Sequence, residues 1–164
     1  LTAQIRYSRN GGDSWLPVAV NLRTGQTLLD GRALPGSTQA RLRLRVSDGV
    51  NTSEVDSGLF NVAPKAPLAL ITQPHLVQSY PPDAPILFSG LGSDAEDGAL
   101  GDAALIWSSN RDGQLGAGRW LYVDRLAPGV HTITLTARDG DGTTGSASIE
   151  IYVGHRLHLP LMLR

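Results

Sequence analysis

The sequence predicts an all-β chain: two tandem antiparallel β-sandwiches, the first lacking its N-terminal strands, plus one extra strand at the C-terminus. Three observations predict it. Apolar and polar residues alternate with period two, the pattern of a half-buried strand. Turn residues are frequent, with 19 Gly and 10 Pro in 164 residues, and no stretch carries a helical stripe. A proline-rich break, Ala63-Pro64-Lys65-Ala66-Pro67, cuts the pattern in two. Residues 63–67 therefore read as a short, stiff linker.

Residues 1–62 form the first set. Ala3–Ser8 and Trp15–Val20 flank Asn10-Gly11-Gly12-Asp13, a hairpin signal. Thr27–Leu29 and Leu59–Val62 are shorter strand candidates. The clearest strand is Ala40-Arg41-Leu42-Arg43-Leu44-Arg45-Val46, with apolar residues on one face and arginines on the other. A helix would scatter those arginines around its surface. Asp48-Gly49 then turns the chain.

Residues 68–153 form the second set. Its strands read as Leu68–Thr72, Ile86–Ser89, Leu105–Ser108, Arg119–Val123, His131–Asp139 and Ser146–Val153. In the fifth, Ile133, Leu135 and Ala137 share one face and Thr132, Thr134 and Thr136 the other. The two sets share an ending. Arg45-Val46-Ser47-Asp48-Gly49 is similar to Thr136-Ala137-Arg138-Asp139-Gly140, and Leu34-Pro35-Gly36 to Ala127-Pro128-Gly129. This is the signature of a divergent repeat.

Composition removes several classes of function. A net charge of -1 argues against nucleic acid as a partner, because phosphate binding needs a clustered basic surface. No run approaches the roughly 18 apolar residues of a membrane span. The absence of cysteine removes disulfides, thiolate nucleophiles and cysteine metal sites together. There is no Gly-x-Ser-x-Gly elbow, no His-Glu-x-x-His and no phosphate-cradling glycine loop. The expectation is a chain that is not an enzyme.

Several phrases resemble bacterial extracellular immunoglobulin-like modules. Ser93-Asp94-Ala95-Glu96-Asp97-Gly98, Trp107-Ser108-Ser109 and Pro128–Asp139 resemble a PKD-like module over residues 68–153. Tyr7–Trp15 and Arg45–Gly49 resemble the later part of a fibronectin type III-like or Ig-like module over residues 1–62. The resemblance implies Ig-like sandwiches at a bacterial surface or outside the cell. It also implies a buried Trp at position 107, and a Tyr where this chain has His131.

The acidic residues Asp94, Glu96, Asp97 and Asp102 sit on a loop that suits a calcium ion, with Asp139 and Asp141 able to approach if the loops share one end. Their other reading is turn chemistry, since Asp and Gly favour tight turns. Trp15, Trp107 and Trp120 read either as core and sheet cover or as a platform for carbohydrate. His155 and His158, at i and i+3, fall on opposite faces of a strand and so suit no shared metal. Asn51-Thr52-Ser53 fits a glycosylation acceptor.

Two mismatches bear on function. A sandwich of this type needs about seven strands and about 100 residues, and residues 1–62 supply fewer. Conversely, residues 154–164 extend beyond the last sandwich strand, and Leu157, Leu159, Leu161 and Leu163 alternate strictly. Leucines left in water forgo about 1.5–3 kcal/mol of burial each. Pro160 places such a strand at an edge, or leaves its N–H side free. At about 3.3 Å per residue, eleven residues span roughly 36 Å, so a neighbouring molecule is easier to reach than the chain's own first domain. The expectation is a surface filament subunit assembled head to tail by donating its C-terminal strand. The alternatives are accessory modules at the C-terminal end of a secreted protease or glycosidase, and a calcium- or carbohydrate-binding adhesin. A fragment whose missing strands lie upstream is also open. The tail further resembles the Leu-Pro-Leu-containing ends of exported Chloroflexi-type proteins, which implies sorting or anchoring.

Overall fold

The computed structural model describes residues 1–23, 25–75 and 79–155. Contacts divide the chain into two compact units, Leu1–Lys65 and Ala66–Arg164.

In the first unit, β1 (Thr2–Ser8) and β2 (Leu16–Leu22) make the expected hairpin. Gly11 and Gly12 turn it at φ of 71° and 116°, a region open to glycine at little cost. Ser8 Oγ accepts the Gly12 N–H at 2.8 Å, and Asn10 Oδ1 accepts the Ser14 N–H at 2.9 Å. β3 (Ser37–Ser47) pairs with β1 along its length, from Thr2 opposite Ser47 to Ser8 opposite Arg41. Its other edge carries β4 (Thr52–Asp56) and β5 (Phe60–Val62). The strands form one sheet in the order β2-β1-β3-β4, with β5 beside β3.

The arginines of β3 take the polar face as the alternation predicts. Arg43 lies over the Trp15 ring at 4.1 Å and forks onto Asp56 at 2.6 and 2.9 Å. Glu54 sits 3.4 Å from Arg43 and 3.5 Å from Arg45. One expectation fails here. Thr27–Leu29 joins no ladder and is not a strand. Conversely, Thr52–Asp56 is a strand although its residues are all exposed, so no alternation marks it.

The second unit is a two-sheet sandwich. One sheet runs β11 (Gly113–Ala117), β10 (Leu105–Ser109), β13 (Gly129–Arg138), β14 (Thr144–Val153), β7 (Ser79–Tyr80). The other runs β12 (Trp120–Val123), β8 (Ile86–Asp94), β6 (Leu68–Gln73), with β9 (Gly98–Ala99) on β8. Every pairing is antiparallel except β7 with β14. Ile86, Phe88, Leu105, Trp107, Ile133, Leu135 and Ile151 are buried between the sheets. Trp107 packs on Phe88 with centroids 5.6 Å apart, and its Nε1–H donates to the Gly118 carbonyl at 2.9 Å.

The two units repeat one sheet. The order β2-β1-β3-β4 matches β11-β10-β13-β14. Registers match as well: Ala3 faces Val46 as Leu105 faces Ala137. Among the described residues of the first unit, nothing matches the sheet β12-β8-β6.

Candidate functional site

The first unit has an apolar sheet face with no sheet against it among the described residues. Ala3, Ile5 and Tyr7 on β1 and Ala40, Leu42, Leu44 and Val46 on β3 share that face. By register, Leu44 stands where Leu135 stands in the second unit, and Ile5 where Trp107 stands. Leu135 and Trp107 are 0% exposed, whereas Leu44 is 38% exposed and Ile5 is half-buried. The same sheet is a core wall in one unit and a partly open surface in the other. An open trough of about 890 Å³ runs over it, between Ile5 and Leu44 on one side and Thr27 and Leu28 on the other.

At one end the face is closed by a polar hook. Tyr7 is fully buried and its hydroxyl donates to the Pro35 carbonyl at 2.6 Å. In the second unit His131 does the equivalent job. Its ring is fully buried, with Nε2 2.6 Å from the Ala127 carbonyl and Nδ1 2.8 Å from Ser109 Oγ. A carbonyl only accepts, so Nε2 carries a proton, and in the neutral ring Nδ1 accepts from Ser109. The bulk has changed strands: Tyr7 with small Ala40 in one unit, small Ser109 with His131 in the other. Histidine thus holds the bend before β13. His131→Phe keeps most of the volume and strands these partners. It is expected to destabilise the second unit by about 1–3 kcal/mol, read from urea unfolding.

The acidic residues divide into two groups. Asp97 Oδ2 accepts the Gly140 N–H at 2.8 Å, which brings the loop of Asp94, Glu96 and Asp97 beside that of Asp139 and Asp141. Asp94 Oδ1 accepts the N–H groups of Glu96 and Asp97 at 2.7 and 3.0 Å. Asp139 accepts the Thr143 N–H at 2.8 Å and its hydroxyl. Asp102 accepts the Arg119 N–H at 3.2 Å. Among the described residues no three His, Asp or Glu side chains are placed to hold a metal ion.

These bonds shift acidities. Burial works to raise the Asp94 carboxyl, but the N–H groups of Glu96 and Asp97 outweigh it and hold it below the ordinary range. The Arg43 fork lowers Asp56, and the N–H groups of Asn51 and Val50 lower Asp48. Each depressed carboxyl contributes stability above its unfolded pKa of about 3.9, lost as pH falls through its lower folded value. Melting temperature is therefore expected to fall with pH below about 4. Asp56→Asn is expected to flatten that dependence in the first unit, read from thermal melts across the acid range.

The tryptophans do not form one platform. Trp107 is core and Trp15 covers the polar face under Arg43, but Trp120 is 62% exposed. Tyr122, 71% exposed, shares its face of β12. His75 and His155 are exposed. Leu157, Leu159, Leu161 and Leu163 lie outside the described residues.

Strand order places the second unit in the immunoglobulin and fibronectin type III class of antiparallel sandwich, and the first unit supplies one sheet of the same fold. No protein family matches the chain, and no characterised protein matches its sequence. Its structure is similar to the fibronectin(III)-like modules of Clostridium thermocellum CbhA, with 16% identity over 95% of this chain and 83% of that one, and a TM-score of 0.47. It is also similar to a chimeric titin Z1Z2 tandem carrying a GRGDS peptide from fibronectin. There the identity is 13% over 94% of this chain and 85% of that one, with a TM-score of 0.38. Among the described residues no helix is long and apolar enough to cross a membrane.

Proposed function

We propose that this chain is a non-catalytic structural module of a bacterial surface. Its copies join head to tail, the C-terminal strand of one completing the first unit of the next. The partly open apolar face of β1 and β3 carries this reading. An exposed sheet face of that kind marks an interaction site. A strand with leucines at every second position, as at Leu157, Leu159, Leu161 and Leu163, presents one apolar face of matching period. A donor at one end and an acceptor at the other make a heterologous contact, which propagates as a filament. The second unit, PKD-like in its motifs, serves as the closed spacer between them. Its acidic loops work as acceptors for turn N–H groups, with no bound cofactor.

Deletion of residues 155–164 tests the reading. Negative-stain electron microscopy is expected to show fibres of the parent chain and none of the shortened one. Fibres in both would remove strand donation.

Carbohydrate contact is a second reading. The exposed pair Trp120 and Tyr122 on one face of β12 favours it, because flat aromatic faces stack on sugar rings.

A further inference from the structure

The inference here rests on strand donation and says where the donated strand sits. We propose that residues 157–163 of a second copy enter the trough beside Thr27–Leu29 and pair with it, taking the place that β8 takes in the second unit.

Chain position is the first reason. In the second unit β12 lies between β11 and the bend Ala127-Pro128-Gly129, and it pairs with β8 from Trp120 opposite Ser89 to Val123 opposite Ile86. Thr27–Leu29 lies between β2 and the bend Leu34-Pro35-Gly36. It has strand-forming residues and the same place in the repeat, yet it joins no ladder, and Leu28 is 100% exposed. Among the described residues it has no counterpart of β8. An incoming strand supplies that ladder, and Thr27–Leu29 then becomes the strand that its sequence predicts.

Side-chain volume is the second reason. β8 meets the core with Ile86, Phe88, Gly90 and Gly92. A methyl group on Gly90 would run into Leu135 and Trp107, and one on Gly92 into Leu105. The corresponding wall of the first unit carries Ala3 and Ile5 in place of Leu105 and Trp107. Opposite those two glycines the smaller wall leaves room for a larger cover, so leucines fit where Gly90 and Gly92 serve in the second unit. The period matches too: Leu157 to Leu163 spans four alternate positions, as Ala40 to Val46 does on β3. Pro160 lacks an N–H and suits a strand paired along one edge, here Thr27–Leu29.

The chain has no cysteine, so introduced pairs report without background. Leu28→Cys is combined in one chain with His158→Cys or Met162→Cys, which stand at the alternate positions between the leucines. Cross-strand neighbours lie within disulfide reach. The comparison pairs put Val55→Cys on β4, the opposite edge, with the same partners. Mild oxidation of the assembled chain is expected to give a ladder of covalent dimers and higher species from at least one Leu28→Cys pair, and none from the Val55→Cys pairs. A ladder from Val55→Cys alone would show strand donation at the wrong edge, overturning this site while leaving the proposed function standing. A link formed within single chains would assign the trough to the chain's own tail and overturn both. Absence of all links together with absence of fibres would also overturn both, whereas fibres without any link would overturn the site alone.

Discussion

Trp107→Ala is expected to unfold the second unit under conditions where the parent chain is folded. Trp107 is the largest fully buried side chain in that unit. It packs on Phe88, faces Leu135 across β10 and β13, and anchors the Gly118 carbonyl through its indole N–H. Gly90 lets β8 close against its ring. Truncation leaves a cavity that glycine cannot refill and costs about 3–5 kcal/mol. For a domain of this size each kcal/mol lowers the melting temperature by about 4–8 °C, and total stability is only about 5–15 kcal/mol. Calorimetry is expected to show the transition of the second unit lowered by tens of degrees, on the order of the product of those two figures. A loss below about 1 kcal/mol would contradict the packing described.

Leu44→Asp is expected to leave the lone chain folded and to abolish joining between copies. Leu44 is 38% exposed, and exposed substitutions usually change stability by about 0.5 kcal/mol or less. In the proposed joined state the same position would face the donated leucines, where an unpaired carboxylate carries a penalty of several kcal/mol. Since about 1.4 kcal/mol is tenfold in affinity, the loss is expected to be on the order of 100-fold or more. Circular dichroism checks the fold and sedimentation checks the joining. A variant that unfolds alone would show that Leu44 already belongs to a closed core.

Alternation carried most of the fold. It marked the strands that bury one face, such as β3 with Leu42, Leu44 and Val46, and β13 with Ile133, Leu135 and Ala137. It missed β4, which is exposed on both faces, and β11, whose glycines leave no pattern. Thr27–Leu29 was misread for a different reason. Local preference makes an extended segment, but a strand also needs a partner in the ladder. Trp120 could not be placed from sequence because β12 presents one aromatic set outward while Leu121 and Val123 face the core. The alternating leucines of the tail are legible in the sequence. The partly open face needed the register, since nothing in Ile5 or Leu44 as residues says that no second sheet among the described residues covers them.

The most direct test is the molar mass of the purified 164-residue chain, measured by static light scattering over a wide range of concentration. Mass that climbs with concentration, and collapses to a single chain when residues 155–164 are removed, is the expected result. A single-chain mass at every concentration would contradict strand donation between copies.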